Sequence, residues 1–411
     1  MTTKKLSVGE GIVYAIGSII GSGILFLPSL TYKKSGNDVL VVWILATILC
    51  IPLIQLFYEM ISKYQNNSME EYFKEAFGEK ISSFLPFLIF FTVILGMSAS
   101  AIIVGGFFAK FFNLPFLKIA TAYYLIFFGL ITNLKGISFG AKVQYIMTSL
   151  LFIICILIFG LTFPEASQNY SSLVPSYNIT PISQGILVAF WAFAGFENLS
   201  FLAPKFENPK KDFLTCLLVA LVFCGAFYLA LTANYSSLVA MEDVKTELGL
   251  YQLAEKITHY KFGVLIVTIF SLFAVKINFN SWVAGVSSLI SENNYFLGTT
   301  YFSVKNESGT PIRAVSVLSL CFFIISTLYY LNPLLMNYAL EMVSANFIFI
   351  YILCIISFLK ITKGPIKKAI ALTTMLVFII SMINTGLTAI YPIFILLMFI
   401  GFKVFMKKRF V

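Results

Sequence analysis

The sequence predicts an all-α polytopic membrane protein organised around two spans that are broken at their centres. Three observations predict it. The 411-residue chain is 59% hydrophobic and 11% charged, with 44 Phe, which leaves too little polar surface for a soluble protein of this length. Its apolar runs recur at about 20 residues or more, one bilayer crossing each. Two of those runs, five spans apart, carry glycine and polar residues in their middles.

The runs give twelve candidate spans, at about 8–32, 38–62, 81–109, 116–134, 141–163, 182–203, 212–235, 262–290, 312–331, 334–358, 366–385 and 388–406. Only the neighbourhood of Asn384 to Thr388 separates the last pair. The first run is too long for a signal-peptide core and is expected to be retained. Most of the 28 Lys and Arg fall at one set of ends, including Lys4, Lys5, Lys205, Lys210, Lys211, Lys360, Lys363, Lys367, Lys368, Lys407, Lys408 and Arg409. The positive-inside bias then places both termini in the cytoplasm. The net charge of +10 is accounted for by that topology and argues for no nucleic-acid partner. An excess of Lys over Arg suggests an AT-rich bacterial source. The cysteines all fall inside apolar runs, without ligand or disulfide spacing, and read as small core residues.

The first broken span is residues 17–28, Gly-Ser-Ile-Ile-Gly-Ser-Gly-Ile-Leu-Phe-Leu-Pro. Its glycines and serines weaken the helix where lipid demands continuous backbone bonding. Such a stretch is either a small-residue packing face or a break that lines a cavity. Span six repeats the pattern, with Phe190-Trp-Ala-Phe-Ala-Gly-Phe-Glu197 followed by Phe201-Leu-Ala-Pro204. A matched pair of breaks in oppositely directed spans favours inverted repeats, with a binding site at the midplane. Between the spans, residues 69–80 place Tyr72, Phe73, Ala76 and Phe77 at helical spacing, which predicts a short interfacial helix. The outer segment 241–260 is similar and holds the sole histidine, His259, read as incidental.

On these residues the chain resembles the amino acid–polyamine–organocation superfamily. The matching stretches are Ile20-Gly-Ser-Gly-Ile-Leu-Phe-Leu-Pro28, Tyr58-Glu59, Glu75-Ala-Phe-Gly78 and Asn133-Leu-Lys-Gly-Ile-Ser-Phe-Gly-Ala-Lys-Val-Gln144. To these are added Phe190 to Glu197, Glu207-Asn-Pro-Lys-Lys211 and Gly309-Thr-Pro-Ile312, in family order. Within it, the short length and Phe206-Glu-Asn-Pro-Lys-Lys-Asp-Phe213 are most similar to the branch exporting methionine and branched-chain amino acids. The resemblance implies a leucine-transporter-like fold with a 5+5 inverted repeat, about 8–163 and 182–358, plus two helices at 366–406. It also implies alternating access.

An amino acid is a zwitterion whose two charges must lose water inside the membrane. The resemblance implies that Gly21, Ser22 and Gly23 offer donors to its carboxylate, with Ile24 beside them, assisted by the dipole of the outer half-helix. Ile19, Trp191, Ala194 and the adjoining Gly195 offer backbone carbonyls or the close approach they need. Trp191, Phe193 and Trp282 are expected as aromatic walls or gates. Among intramembrane charges, Glu197 is the expected proton-coupling residue and Glu341 is read as facing an outer vestibule. Lys276 either replaces a coupling cation between spans one and eight or pairs with Glu197. Glu59 is read as structural. Where several relatives in the superfamily carry a lysine in span five, this chain has Ser149 to Leu151.

The expected partner set is a neutral, apolar amino acid, protons and the lipid bilayer of the cell membrane, with the chain a monomer or homodimer. No cofactor or metal is expected. Efflux driven by proton antiport is the first reading, with uptake, exchange or a transporter-like nutrient sensor as alternatives. A membrane enzyme would need a nucleophile with its base or a metal cluster, and one histidine with scattered cysteines supplies neither.

Overall fold

The computed structural model describes residues 7–63, 69–135, 137–196, 206–257, 259–292, 300–307, 309–384 and 386–409. Helix α1 (Val8–Ile20) starts at Ser7, whose Oγ accepts the Glu10 amide at 3.3 Å. The Glu10 carboxylate accepts the Ser7 amide at 2.9 Å in return, so two donors that a helix start leaves open are satisfied. The helix stops at Gly21, where φ is +25°. A 3-10 turn, Gly23–Leu25, follows, and then α2 (Leu27–Ser35), with Pro28 in its first turn where a missing N–H is tolerated.

The chain continues through α3 (Val39–Lys63), α4 (Met69–Phe77), α5 (Glu79–Ser82), α6 (Leu85–Phe112), α7 (Leu117–Leu134) and α8 (Ile137–Ser167). After α9 (Ile179–Trp191) come α10 (Pro209–Leu238), α11 (Gly249–Glu255) and α12 (Tyr260–Glu292). The last four are α13 (Ile312–Leu331), α14 (Pro333–Ile361), α15 (Pro365–Ile383) and α16 (Tyr391–Arg409). Among the described residues, 10 helical stretches are long and apolar enough to cross a membrane, the first running from Leu27 to Lys63. The shorter apolar helices α1 and α9 end where the sequence places its two breaks. Asn384 and a 3-10 segment, Gly386–Ile390, part α15 from α16.

Burial separates centre from rim. The apolar window of α6 is 83% buried, and those of α14 and α12 are 72% and 67%, against 22% for both α15 and α16. The three central helices therefore meet protein on most sides, while the last two leave most of their apolar surface to lipid. Exposed Ile44, Ile48 and Ile51 on α3 and Leu372 and Leu376 on α15 are in keeping with a lipid-facing surface.

The short helix expected over residues 69–80 is present as α4, with Tyr72 and Phe73 buried and Lys74 exposed. It is tied to α14 by Lys360 Nζ, which donates to the Ala76 carbonyl at 2.9 Å. On the other side, the segment before α11 lies on α2, where Ser29 Oγ donates to the Thr246 carbonyl at 3.1 Å. Lys33 Nζ also reaches the Met241 carbonyl, at 3.3 Å. Cys321 is half-buried, and Cys50, Cys155, Cys216, Cys224 and Cys354 are buried.

One buried carboxylate holds the turn into α9. Asp38, 1% exposed, accepts from Ser176 Oγ at 2.6 Å, Tyr177 N at 2.7 Å and Asn178 N at 3.2 Å. Bonds to a charged acceptor contribute about 1.5–3 kcal/mol each. Asp38→Ala is expected to lower the thermal unfolding midpoint of the detergent-solubilised protein by several degrees. An unchanged midpoint would show that this carboxylate does not anchor the turn.

Candidate functional site

The two breaks are in backbone contact. α9 tightens at its end through i→i−3 bonds, Ala192 N to Ala189 O, Phe193 N to Phe190 O and Ala194 N to Trp191 O, each at 3.0–3.1 Å. Gly195 then takes φ +133°, and a Cβ there would lie 2.7 Å from the Ser18 carbonyl oxygen of α1. Gly21 faces α12 as closely, since a Cβ would lie 1.4 Å from Asn278 Nδ2. Both glycines are required by conformation and by space. Gly17 is different. It is helical, and its missing Cβ makes room for Thr148 Oγ1, 2.2 Å away, so the packing reading of small residues holds for Gly17 and the break reading for Gly21.

Beside the breaks is a small cleft. One end is polar. Ser22, 5% exposed, lies with its Oγ 2.7 Å from Ser100 Oγ, which is also 2.8 Å from the Gly96 carbonyl. A serine has one proton to donate. When Ser100 bonds Gly96 within its own helix, the Ser22 hydroxyl proton is available to a ligand or to Ser100. Asn278, 5% exposed, lines the same cleft, and its buried Nδ2 has no hydrogen-bond partner among the described residues. The walls are mainly apolar, formed by Val93 and Met97 of α6, Val343 and Phe347 of α14, and the rings of Trp191 and Trp282, with Thr92 of α6 also lining them. Phe347 gathers the two tryptophans, with ring centroids 6.5 Å from Trp191 and 5.9 Å from Trp282. Phe26 meets Trp191 edge-on at 5.1 Å.

Of the residues expected at a site, Ser22, Trp191 and Trp282 line this cleft. Gly21, Gly23 and Gly195 shape the breaks next to it. Ile19, Ile24 and Ala194 are buried and are not among the residues that line the cleft. The Trp191 carbonyl already accepts from Ala194 N. Phe193 turns away, packing its ring 6.4 Å from Trp43 and 6.3 Å from Tyr228, in the aromatic layer behind the break. Glu197 and the stretch 201–204 lie outside the described residues.

Lys276 does not face the cleft. Two residues along a helix turn the side chain by about 200°, so Asn278 toward the cleft places Lys276 toward α7. There its Nζ donates to Tyr124 Oη at 2.7 Å and lies 4.7 Å from the Tyr124 and Phe128 ring centres. The α12 side chains that meet α1 are Asn278 and Ser281, the latter 3.5 Å from Ser18 Oγ. Glu341 pairs with Lys34 of α2 at 2.7 Å, bridging the second half of span one to α14. Glu59 is held by Lys367, by Gln55 at 3.0 Å and by Thr362 at 3.3 Å.

The sequence reading passed over α6, whose Gly96 and Ser100 stand one turn apart on the cleft, and Tyr228. Tyr228 Oη donates to the Ile20 carbonyl at 3.2 Å, satisfying an acceptor that the break releases. The cluster of small residues from Gly96 to Ala101 amid bulky neighbours was the available signal in α6. Nothing in the local sequence of Tyr228 marks it.

A small cleft between two broken helices in a bundle of apolar spans defines a membrane transporter of small molecules. The amino acid permease family profile matches residues 10–407, and the chain belongs to that family. It is 23% identical over 418 residues to the L-methionine/branched-chain amino acid exporter YjeH of Escherichia coli K12, covering 99% of this chain and 97% of that one. It is 24% identical over 389 residues to the aromatic amino acid transport protein AroP of Corynebacterium glutamicum, covering 85% and 79%. The crystal structure of MhsT in complex with L-phenylalanine superposes with a TM-score of 0.65 at 14% identity, over 95% of this chain and 100% of that one. The fold is leucine-transporter-like, and the protein is an amino acid permease.

Gly195→Ala would force a Cβ against the Ser18 carbonyl in a backbone conformation that L side chains rarely adopt. It is expected to separate the two breaks and abolish amino acid binding, read by isothermal titration on folded protein. Retained affinity would show that the backbone contact is dispensable.

Proposed function

We propose that this permease is a secondary transporter of neutral, apolar L-amino acids, methionine and the branched-chain residues among them, working by alternating access as a proton antiporter that exports them. The observation that carries the reading is the cleft's division into a serine-lined polar end at the span-one break and apolar walls. No Asp or Glu stands among the described residues that line it, so a polyamine finds no counter-charge there. A zwitterion divides its charges between backbone groups and leaves its side chain to Val93, Met97, Val343 and Phe347.

In this reading the Gly21, Ser22 and Gly23 amides and the Ser22 hydroxyl receive the carboxylate. Carbonyls near Ile19, Trp191 and Ala194 receive the ammonium. Trp191 and Trp282 close the site, and Glu197 carries the coupled proton. Residues 8–163 and 182–358 form the inverted repeats, with residues 366–406 outside them, and both termini lie in the cytoplasm of a bacterial cell. Lys276, facing Tyr124, serves the packing of α12 on α7. The likeness to YjeH over nearly the whole chain supports the direction and the substrates.

The test is release of labelled methionine, leucine or alanine from preloaded proteoliposomes, with and without an imposed pH gradient. Gradient-driven release is expected, and movement only against external amino acid would replace antiport by exchange. Glu197→Gln is expected to leave binding intact and flatten the pH dependence of release. A pH profile identical to wild type would assign coupling to another group.

A further inference from the structure

The cleft runs along one face of α6, past Ser100, Gly96 and Val93, at i, i+4 and i+7 spacing. Ser100 marks the polar end through its contact with Ser22, and Gly96 lies one turn, about 6 Å, from it. Glycine inside a helix is unfavourable by about 1 kcal/mol relative to alanine, so its presence there calls for a reason. The same helix supplies the comparison. At Gly105 a Cβ would strike backbone, 1.9 Å from the Lys118 carbonyl oxygen, which is close approach of α7. At Gly96 the nearest atoms are side chains of the cleft itself, Trp191 Cζ2 at 3.3 Å and Val343 Cγ1 and Cγ2 at 3.4 and 3.7 Å. A methyl group at this position meets side chains and no backbone, pressing tightly on Trp191 and touching Val343, so it takes up the space between them.

We infer that Gly96 is a specificity-determining residue: by keeping open the gap between Trp191 and Val343, it admits aliphatic side chains of about three or four non-hydrogen atoms, the length that one helical turn allows from the polar end. The inference rests on the reading that the cleft holds aliphatic amino acids with their charged ends at Ser22. Gly96 touches the ligand's side chain and leaves the carboxylate and ammonium to the breaks, so its effect is graded by side-chain size and not common to all amino acids.

The experiment compares KM for alanine, valine, leucine and methionine in proteoliposomes of wild type, Gly96→Ala, Val343→Ala and the double variant. In Gly96→Ala the leucine-to-alanine and methionine-to-alanine KM ratios are expected to rise about tenfold, the discrimination one methyl group imposes in an apolar pocket. Val343→Ala in the Gly96→Ala background is expected to bring the ratios back toward wild type. A uniform change across the four, or no recovery in the double variant, would overturn the inference. Should Gly96→Ala fail to fold, Val343→Ile narrows the same gap from the opposite wall and must raise the same ratios. Wild-type vesicles that move none of the four would overturn the proposed function and this inference together. Active wild type with unchanged ratios in both narrowing variants would overturn this inference alone.

Discussion

The contact between Gly195 and the Ser18 carbonyl is the constraint around which the other elements are arranged. An interrupted helix inside a bilayer leaves backbone polar groups with no water to bond, and each group left so costs several kcal/mol. Two breaks set against each other remove lipid from both. The surrounding helices then supply partners. Tyr228 takes the Ile20 carbonyl, and Asn278 fills the space that Gly21 leaves. Among the described residues the Nδ2 of Asn278 has no partner, as suits a group standing beside a ligand site.

This arrangement explains why α6, α12 and α14 are the buried helices. Each has to cover the breaks on one side, and each contributes a face to the cleft. α6 gives small residues and the Ser100 hydroxyl, α12 gives Asn278 and Trp282, and α14 gives Val343 and Phe347. The ion pair between Lys34 and Glu341 ties the second half of span one to α14, next to the residues that wall the cleft. With both side chains partly exposed, its contribution is modest, about 1 kcal/mol or less.

Lys276 shows where reasoning from the chain alone reached its limit. An ionisable group in the middle of a span is a functional candidate by cost, and the sequence offered spans one and six as its neighbours. Rotation about the α12 axis directs it to the Tyr124 hydroxyl and ring face, while Glu197, its other expected partner, lies outside the described residues. Phe193 is a similar case. Its place beside Trp191 suggested a second aromatic wall, yet two residues on, in the tightened end of α9, it points into the layer of Trp43 and Tyr228.

Composition and hydropathy determined the class of the protein, because an apolar run of bilayer length has one stable form in lipid and glycine clusters within such runs mark where that form fails. Those are local properties, readable in a window of residues, and they placed both breaks and with them Ser22 and Trp191, while Trp282, in α12, was expected from the family resemblance. The tertiary structure decided which side chains meet at the breaks. Ser100, Gly96, Asn278 and Val343 come from three helices far apart in the chain. Their convergence depends on the rotation and depth of each helix against its neighbours, which packing sets and hydropathy does not encode.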